Sequence, residues 1–190
     1  MLNPIKSVRS KLATIALINY IRSICPDEIE HINHFLYGTL RSNILNVIPM
    51  MHISTLISIK TKKYRPQLHG YGGPIPLGMT IGNSLVSSML EYDLYSFGVA
   101  YSEIDYNYIY TDTIVGPVCR DHAIILVNDV MDLDLVNAYR ICVRNNLNVL
   151  AVVSVICPDV NRSCIDMIDV EYINLIDFGD IQSRTSINTT

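Results

Sequence analysis

An apolar run, Ile124-Ile125-Leu126-Val127, ends on Asn128-Asp129 and is followed by Val130, Met131, Asp132, Leu133 and Asp134 before a helical pattern begins. In an open α/β sheet, the loop after such a strand offers backbone N–H groups and a helix N-terminus to a phosphate. That chemistry requires small residues at the point of approach, so that main chain and hydroxyls can reach the anion. Met131-Asp132-Leu133-Asp134 contains no Gly, Ser or Thr and brings two carboxylates. At about 4 Å and an effective dielectric near 20, each carboxylate repels a unit negative charge by about 4 kcal/mol before screening. Asp132 or Asp134 is instead suited to cap the following helix, where the dipole favours negative charge.

Other residue groups carry weaker chemistry. Lys60, Lys62, Lys63 and Arg65 surround Tyr64 and hold four of the 14 basic residues, a patch able to meet nucleic-acid phosphates or an acidic partner, or simply a solvated loop. His31 and His34 are three apart with no third metal ligand nearby, and His52 and His69 stand alone, so no metal site is expected. Tyr101, Tyr106, Tyr108 and Tyr110 belong to a stretch that alternates aromatic and polar residues, which suits a β-hairpin or a partner-binding surface. No Ser-His-Asp order, Cys-His pairing or glycine-rich nucleotide loop is present, and no cofactor is expected.

The elements that must position these residues follow from periodicity. Residues 7–24 and a segment opened by Pro26-Asp27-Glu28 and ended by Gly38 predict two N-terminal helices. The apolar, β-branched stretch 47–59 predicts a strand, and 60–76 reads as loop from its Pro and Gly. A helix is expected over 77–91 and another over 133–146. Strands are expected at 94–101, 123–129, 148–156 and 171–176. Apolar strands bracketing a helix predict a buried, mainly parallel sheet with flanking helices, an α/β fold.

The 190 residues suit one domain, taken as 1–181 with a flexible tail at 182–190. At 49% hydrophobic and 17% charged the chain is too apolar for disorder, and a net charge of -4 gives no global attraction to nucleic acid or an acidic membrane. Any such contact has to be local. The apolar segment 12–21 falls short of a membrane span. Five scattered cysteines without a C-x-x-C pair favour reduced thiols and a cytoplasmic setting. The abundance of Ile, Asn, Asp, Ser and Tyr is of the kind AT-rich genomes produce, those of large cytoplasmic DNA viruses included, which sets a viral origin as an expectation.

The order strand, acidic pair, short loop, helix, strand over 123–156 resembles the phosphoribosyl-diphosphate signature of type I phosphoribosyltransferases, orotate phosphoribosyltransferase most of all. "YGTLRS" (37–42), "YGGPIPLG" (71–78), "SEIDY" (102–106) and "INLIDFGDI" (173–181) resemble further family segments in the same order. The resemblance implies a homodimer, bound magnesium diphosphate, a small-residue loop that grips the 5-phosphate, a first carboxylate that contacts the ribose hydroxyls, and lysines or arginines that neutralise the leaving diphosphate. Against that pattern, Asn128 replaces the first carboxylate and Asp129 keeps the second. Gly72 stands where the family has a lysine, and Ser102 and Asp105 where its catalytic loop has others. The expectation is therefore a phosphoribosyltransferase-like protein without catalysis, serving protein association. Two alternatives stay open: an active or weak transferase using Asp129 with shifted cations such as Arg41 and Lys60, and a nucleotide or nucleic-acid binding module built on 60–65.

Overall fold

Ala123–Val130 is buried along its whole length, as only an inner strand covered on both faces can be. The computed structural model describes residues 4–24, 46–89, 93–100, 103–104, 109–110 and 113–182. In chain order the elements are α1 (Pro4–Ile24), α2 (Val47–Lys60), a 3-10 turn (Lys62–Tyr64), β1 (Gly70–Pro74), α3 (Leu77–Met89) and β2 (Tyr95–Ala100). The short strands β3 (Glu103–Ile104), β4 (Ile109–Tyr110) and β5 (Thr113–Val115) come next. They are followed by β6 (Ala123–Val130), α4 (Leu133–Arg144), β7 (Asn148–Ile156), a 3-10 segment (Asp159–Met167), β8 (Glu171–Ile176) and α5 (Phe178–Gln182).

Six strands form one sheet in the order β5-β2-β1-β6-β7-β8, parallel except for β5, which runs antiparallel to β2. β3 and β4 pair as a separate antiparallel hairpin. One face carries α1, α2 and α3 over Tyr71, Ile125, Val127, Val153 and Leu175. The other carries α4 and the 159–167 segment over Phe97, Ile124, Leu126 and Val152. The α/β class with a mainly parallel sheet and flanking helices is thus as expected, as are the strands near 94–101, 123–129, 148–156 and 171–176.

Two expectations are corrected. Residues 47–59 are not a strand but the helix α2: Met50, Ile53, Ser54, Leu56 and Ile57 are buried while Val47, Ile48 and Met51 are exposed, a period near 3.6. Pro49 is tolerated because it lies in the first turn, where no intrahelical N–H partner is lost. The stretch 60–76 is not all loop either, since Gly70–Pro74 is a wholly buried strand between β2 and β6. Gly70–Pro74 reads as loop because it carries four glycine and proline residues and no β-branched one. The reason it is a strand is close approach: a Cβ on Gly72 would lie 2.4 Å from the Phe97 carbonyl oxygen, and one on Gly73 2.1 Å from that of Val127. The expected helix after Pro26, His31, His34, Arg41, most of the tyrosine stretch and the tail from 183 lie outside the described residues.

Candidate functional site at the carboxyl end of the sheet

β6 delivers Asn128 and Asp129 to the carboxyl end of the sheet as consecutive strand residues, so their side chains leave on opposite faces. Asn128 is 3% exposed and its Nδ2 donates to the Val130 carbonyl at 3.3 Å; Asp129 is 0% exposed. Val130 closes the strand, and Met131 is clamped on both sides of its peptide. Its N–H donates to the Ile156 carbonyl at 3.0 Å, and Asn161 Nδ2 donates to its carbonyl at 2.7 Å. The Met131 side chain is fully buried.

Asp132 then occupies the N-cap of α4 in an extended conformation, with its Oδ1 accepting from the Leu135 N–H at 3.0 Å. Of the two capping candidates, Asp132 is the one used. Asp134 falls in the first helical turn, and Leu133 is exposed. The helix N-terminus that would face a phosphate therefore holds a carboxylate supplied by the chain itself. At this loop position 128 is an amide, Asp129 is fully buried and Asp132 is engaged as a cap, an arrangement with no small residue or hydroxyl to approach a ribose phosphate.

Position 72, where the resemblance set a lysine against this chain's glycine, lies inside β1 with Phe97 against it. No side chain fits there without displacing main chain.

Two residues that carried no chemical signal in the sequence, Ser154 and Asn174, join Asn128 here. Asn128 in β6, Ser154 in β7 and Asn174 in β8 are in register and form a polar row across three parallel strands. Ser154 is fully buried and its Oγ lies 2.6 Å from Tyr172 OH; Asn174 Nδ2 donates to the Ile176 carbonyl at 2.8 Å, the bond Asn128 makes in its own strand. Burial pushes the Tyr172 hydroxyl well above its ordinary range. The available signal was positional: single polar residues inside otherwise apolar strands, each two before an isoleucine or valine.

The basic stretch is only partly available to a ligand. Lys60 Nζ donates to the Asn174 carbonyl at 2.7 Å, and burial lowers its pKa. Lys63 pairs with Glu171, as does the Tyr64 hydroxyl. Lys62 and Arg65 are exposed. Within the tyrosine stretch Glu103–Ile104 pairs antiparallel with Ile109–Tyr110, while Tyr101, Tyr106 and Tyr108 lie outside the described residues.

At the opposite, amino end of the sheet, His69 is not isolated. Its ring stacks on His122 at 4.6 Å, and its Nδ1 accepts from the Ala123 N–H at 3.1 Å. His122 Nδ1 lies 2.6 Å from Tyr95 OH, and the Tyr95 pKa is pushed up to about 12, first by burial and then by the nearby Cys119 and Cys142. This cluster ties β1, β2 and β6 at the end away from the loops that bind ligands in such sheets.

No protein-family model matches the sequence, and no curated protein matches it. Solved structures do. A phosphoribosyltransferase from Corynebacterium diphtheriae is 15% identical, covering 90% of this chain and 99% of its own, with a TM-score of 0.70. Orotate phosphoribosyltransferase from Mycobacterium tuberculosis, in complex with 5-phospho-α-D-ribosyl 1-diphosphate, is 14% identical over 92% of this chain and 98% of its own, with a TM-score of 0.61. Adenine phosphoribosyltransferase from Saccharomyces cerevisiae is 12% identical over 69% and 81%, with a TM-score of 0.53. The fold is that of the type I phosphoribosyltransferases. At these identities the likeness speaks for the fold and leaves function to the site.

Proposed function

We propose that this chain is a phosphoribosyltransferase-like protein that does not catalyse phosphoribosyl transfer and acts through protein association. The observation that carries the reading is the Asp132 cap: at the helix N-terminus that would receive a phosphate, a carboxylate of the chain accepts from the Leu135 N–H. Supporting it are the burial of Asp129, the amide at position 128 and the closed seam at Gly72. Association is assigned to a homodimer and to the hairpin region 101–112, which supplies Tyr101, Tyr106, Tyr108 and Tyr110 where catalysis would require cations. A fold whose chemistry is gone persists if its surface is still used.

The structural neighbours are enzymes, so an activity test comes first. Incubation with orotate, 5-phospho-α-D-ribosyl 1-diphosphate and magnesium is expected to give no nucleotide above a blank. Turnover that disappears in Asp129→Ala would overturn the reading in favour of a working transferase. A nucleic-acid module built on 60–65 is less favoured, because Lys60 and Lys63 already hold β8.

A further inference from the structure

Charge is segregated along this chain in a way its net value conceals. Residues 1–90 hold nine of the 14 Lys and Arg but only three of the 18 Asp and Glu, and all three fall at 27–30. Helices α1, α2 and α3 contain no acidic residue. These three helices cover one face of the sheet.

The solvent side of α1 and α2 is also apolar. Val8, Leu12 and Ile15, spaced i, i+4, i+7 on α1, are 55%, 62% and 38% exposed, and Val47, Ile48 and Met51 on the adjacent α2 are 75%, 64% and 64% exposed. Helical geometry sets the exposed Arg9 and Lys11 on either side of the α1 stripe. The buried sides of both helices, with Ala13, Leu17, Ile21, Ile53 and Ile57, belong to the core. The outward sides therefore form an aliphatic surface with cations beside it and no carboxylate on its own helices.

We propose that this surface adsorbs reversibly to an anionic membrane leaflet, with the aliphatic side chains entering the boundary between headgroups and acyl chains and Arg9 and Lys11 meeting the headgroups. The chemistry favours lipid over protein. Protein interfaces are anchored by Trp, Tyr and Arg in closed pockets, whereas this stripe has no aromatic residue and sets aliphatic groups between Arg9 and Lys11, the chemistry that meets acyl chains and anionic headgroups together. No helix among the described residues is long and apolar enough to cross a membrane, so the helices lie along the surface. The inference is independent of the proposed loss of catalysis.

The test is co-sedimentation of the full chain with phosphatidylcholine vesicles, with and without phosphatidylserine, at low and high salt. Binding is expected only with phosphatidylserine and should weaken with salt as the surface charge is screened. Each cation near an anionic surface strengthens binding about fivefold, so removing both in Arg9→Gln with Lys11→Gln should cost about 25-fold. Leu12→Ser with Met51→Ser should lose binding while the thermal unfolding midpoint holds. Equal recovery with both vesicle types, or binding indifferent to both variants, overturns the proposal. So does conversion of a dimer to a monomer by Leu12→Ser with Met51→Ser, which would assign the surface to a second copy. A fall in the unfolding midpoint of that variant with vesicle binding unchanged would assign it to residues 25–45 and also overturn the proposal.

Discussion

Lys60 Nζ donates to the Asn174 carbonyl at 2.7 Å, fastening the end of α2 to the outermost strand of the sheet. Lys63 and Tyr64, in the next turn, both reach the Glu171 carboxylate at the start of the same strand. Residues 60–64 thus strap the edge of β8. An open edge strand is a template for unwanted pairing, and lysines at the edge block it.

The strap predicts a pH dependence. Hydrogen bonds from Lys63 and then Tyr64 lower the Glu171 pKa below 4.5, so the folded state holds this proton less tightly than the unfolded chain. The contribution is present above the ordinary carboxylate pKa and is lost as pH falls through the lowered one. Because the pair is exposed, Glu171→Gln should cost no more than about 1 kcal/mol near neutrality. Urea titrations of both proteins should differ at neutral pH and converge in acid; a gap that widens in acid contradicts the assignment.

Asp132→Ala removes the cap of α4 and should lower stability by about 0.5–2 kcal/mol. Asp134→Ala, which loses a first-turn charge, should cost about 0.3–1 kcal/mol. Denaturant midpoints ranked the other way round would assign the cap to Asp134.

Tyr172→Phe strands the fully buried Ser154 hydroxyl and should cost about 1–3 kcal/mol. Adding Ser154→Ala should recover part of that loss, since removing both partners is nearly neutral. A double-mutant cycle reads the coupling, and strictly additive losses would mean that the two hydroxyls do not stabilise one another.

Replacing Gly72 by Lys should not create activity and should instead destabilise the sheet, by at least the roughly 1–3 kcal/mol typical of overpacking. Soluble expression and thermal unfolding check this, with Gly72→Ala as the smaller version of the same insult.

Triple replacement of Tyr106, Tyr108 and Tyr110 by Ser should reduce self-association in sedimentation and partner recovery in pull-down. If both stay unchanged while reversing Lys60, Lys62 and Lys63 abolishes a salt-sensitive nucleic-acid complex, the association role belongs to the basic stretch instead.

Most of the sheet is legible in the sequence because β6, β7 and β8 are buried enough to read as apolar runs of strand length. The helical start after Asp132 is legible for the same reason that it folds: a short acidic residue precedes a periodic apolar pattern. Residues 47–59 mislead because β-branched residues dominate their composition, although Pro49 and the spacing of Met50, Ile53 and Ile57 carry the helical signal. β1 is illegible by propensity, since Gly70–Pro74 is defined by what its neighbours leave no room for. The Asn128-Ser154-Asn174 row needs three-dimensional register, which no single segment holds.

The seam at Gly72 makes a cation there hard to introduce. What blocks a side chain is not only the Phe97 ring but the Phe97 carbonyl, part of the neighbouring strand's main chain. A smaller residue at 97 would clear the ring and leave the oxygen in place. No single compensating substitution opens the position, and a lysine fits only if β1 and β2 move apart. For selection in the laboratory this acts as a ratchet: point mutation can wander over the surfaces of this protein but has no stepwise path through that seam.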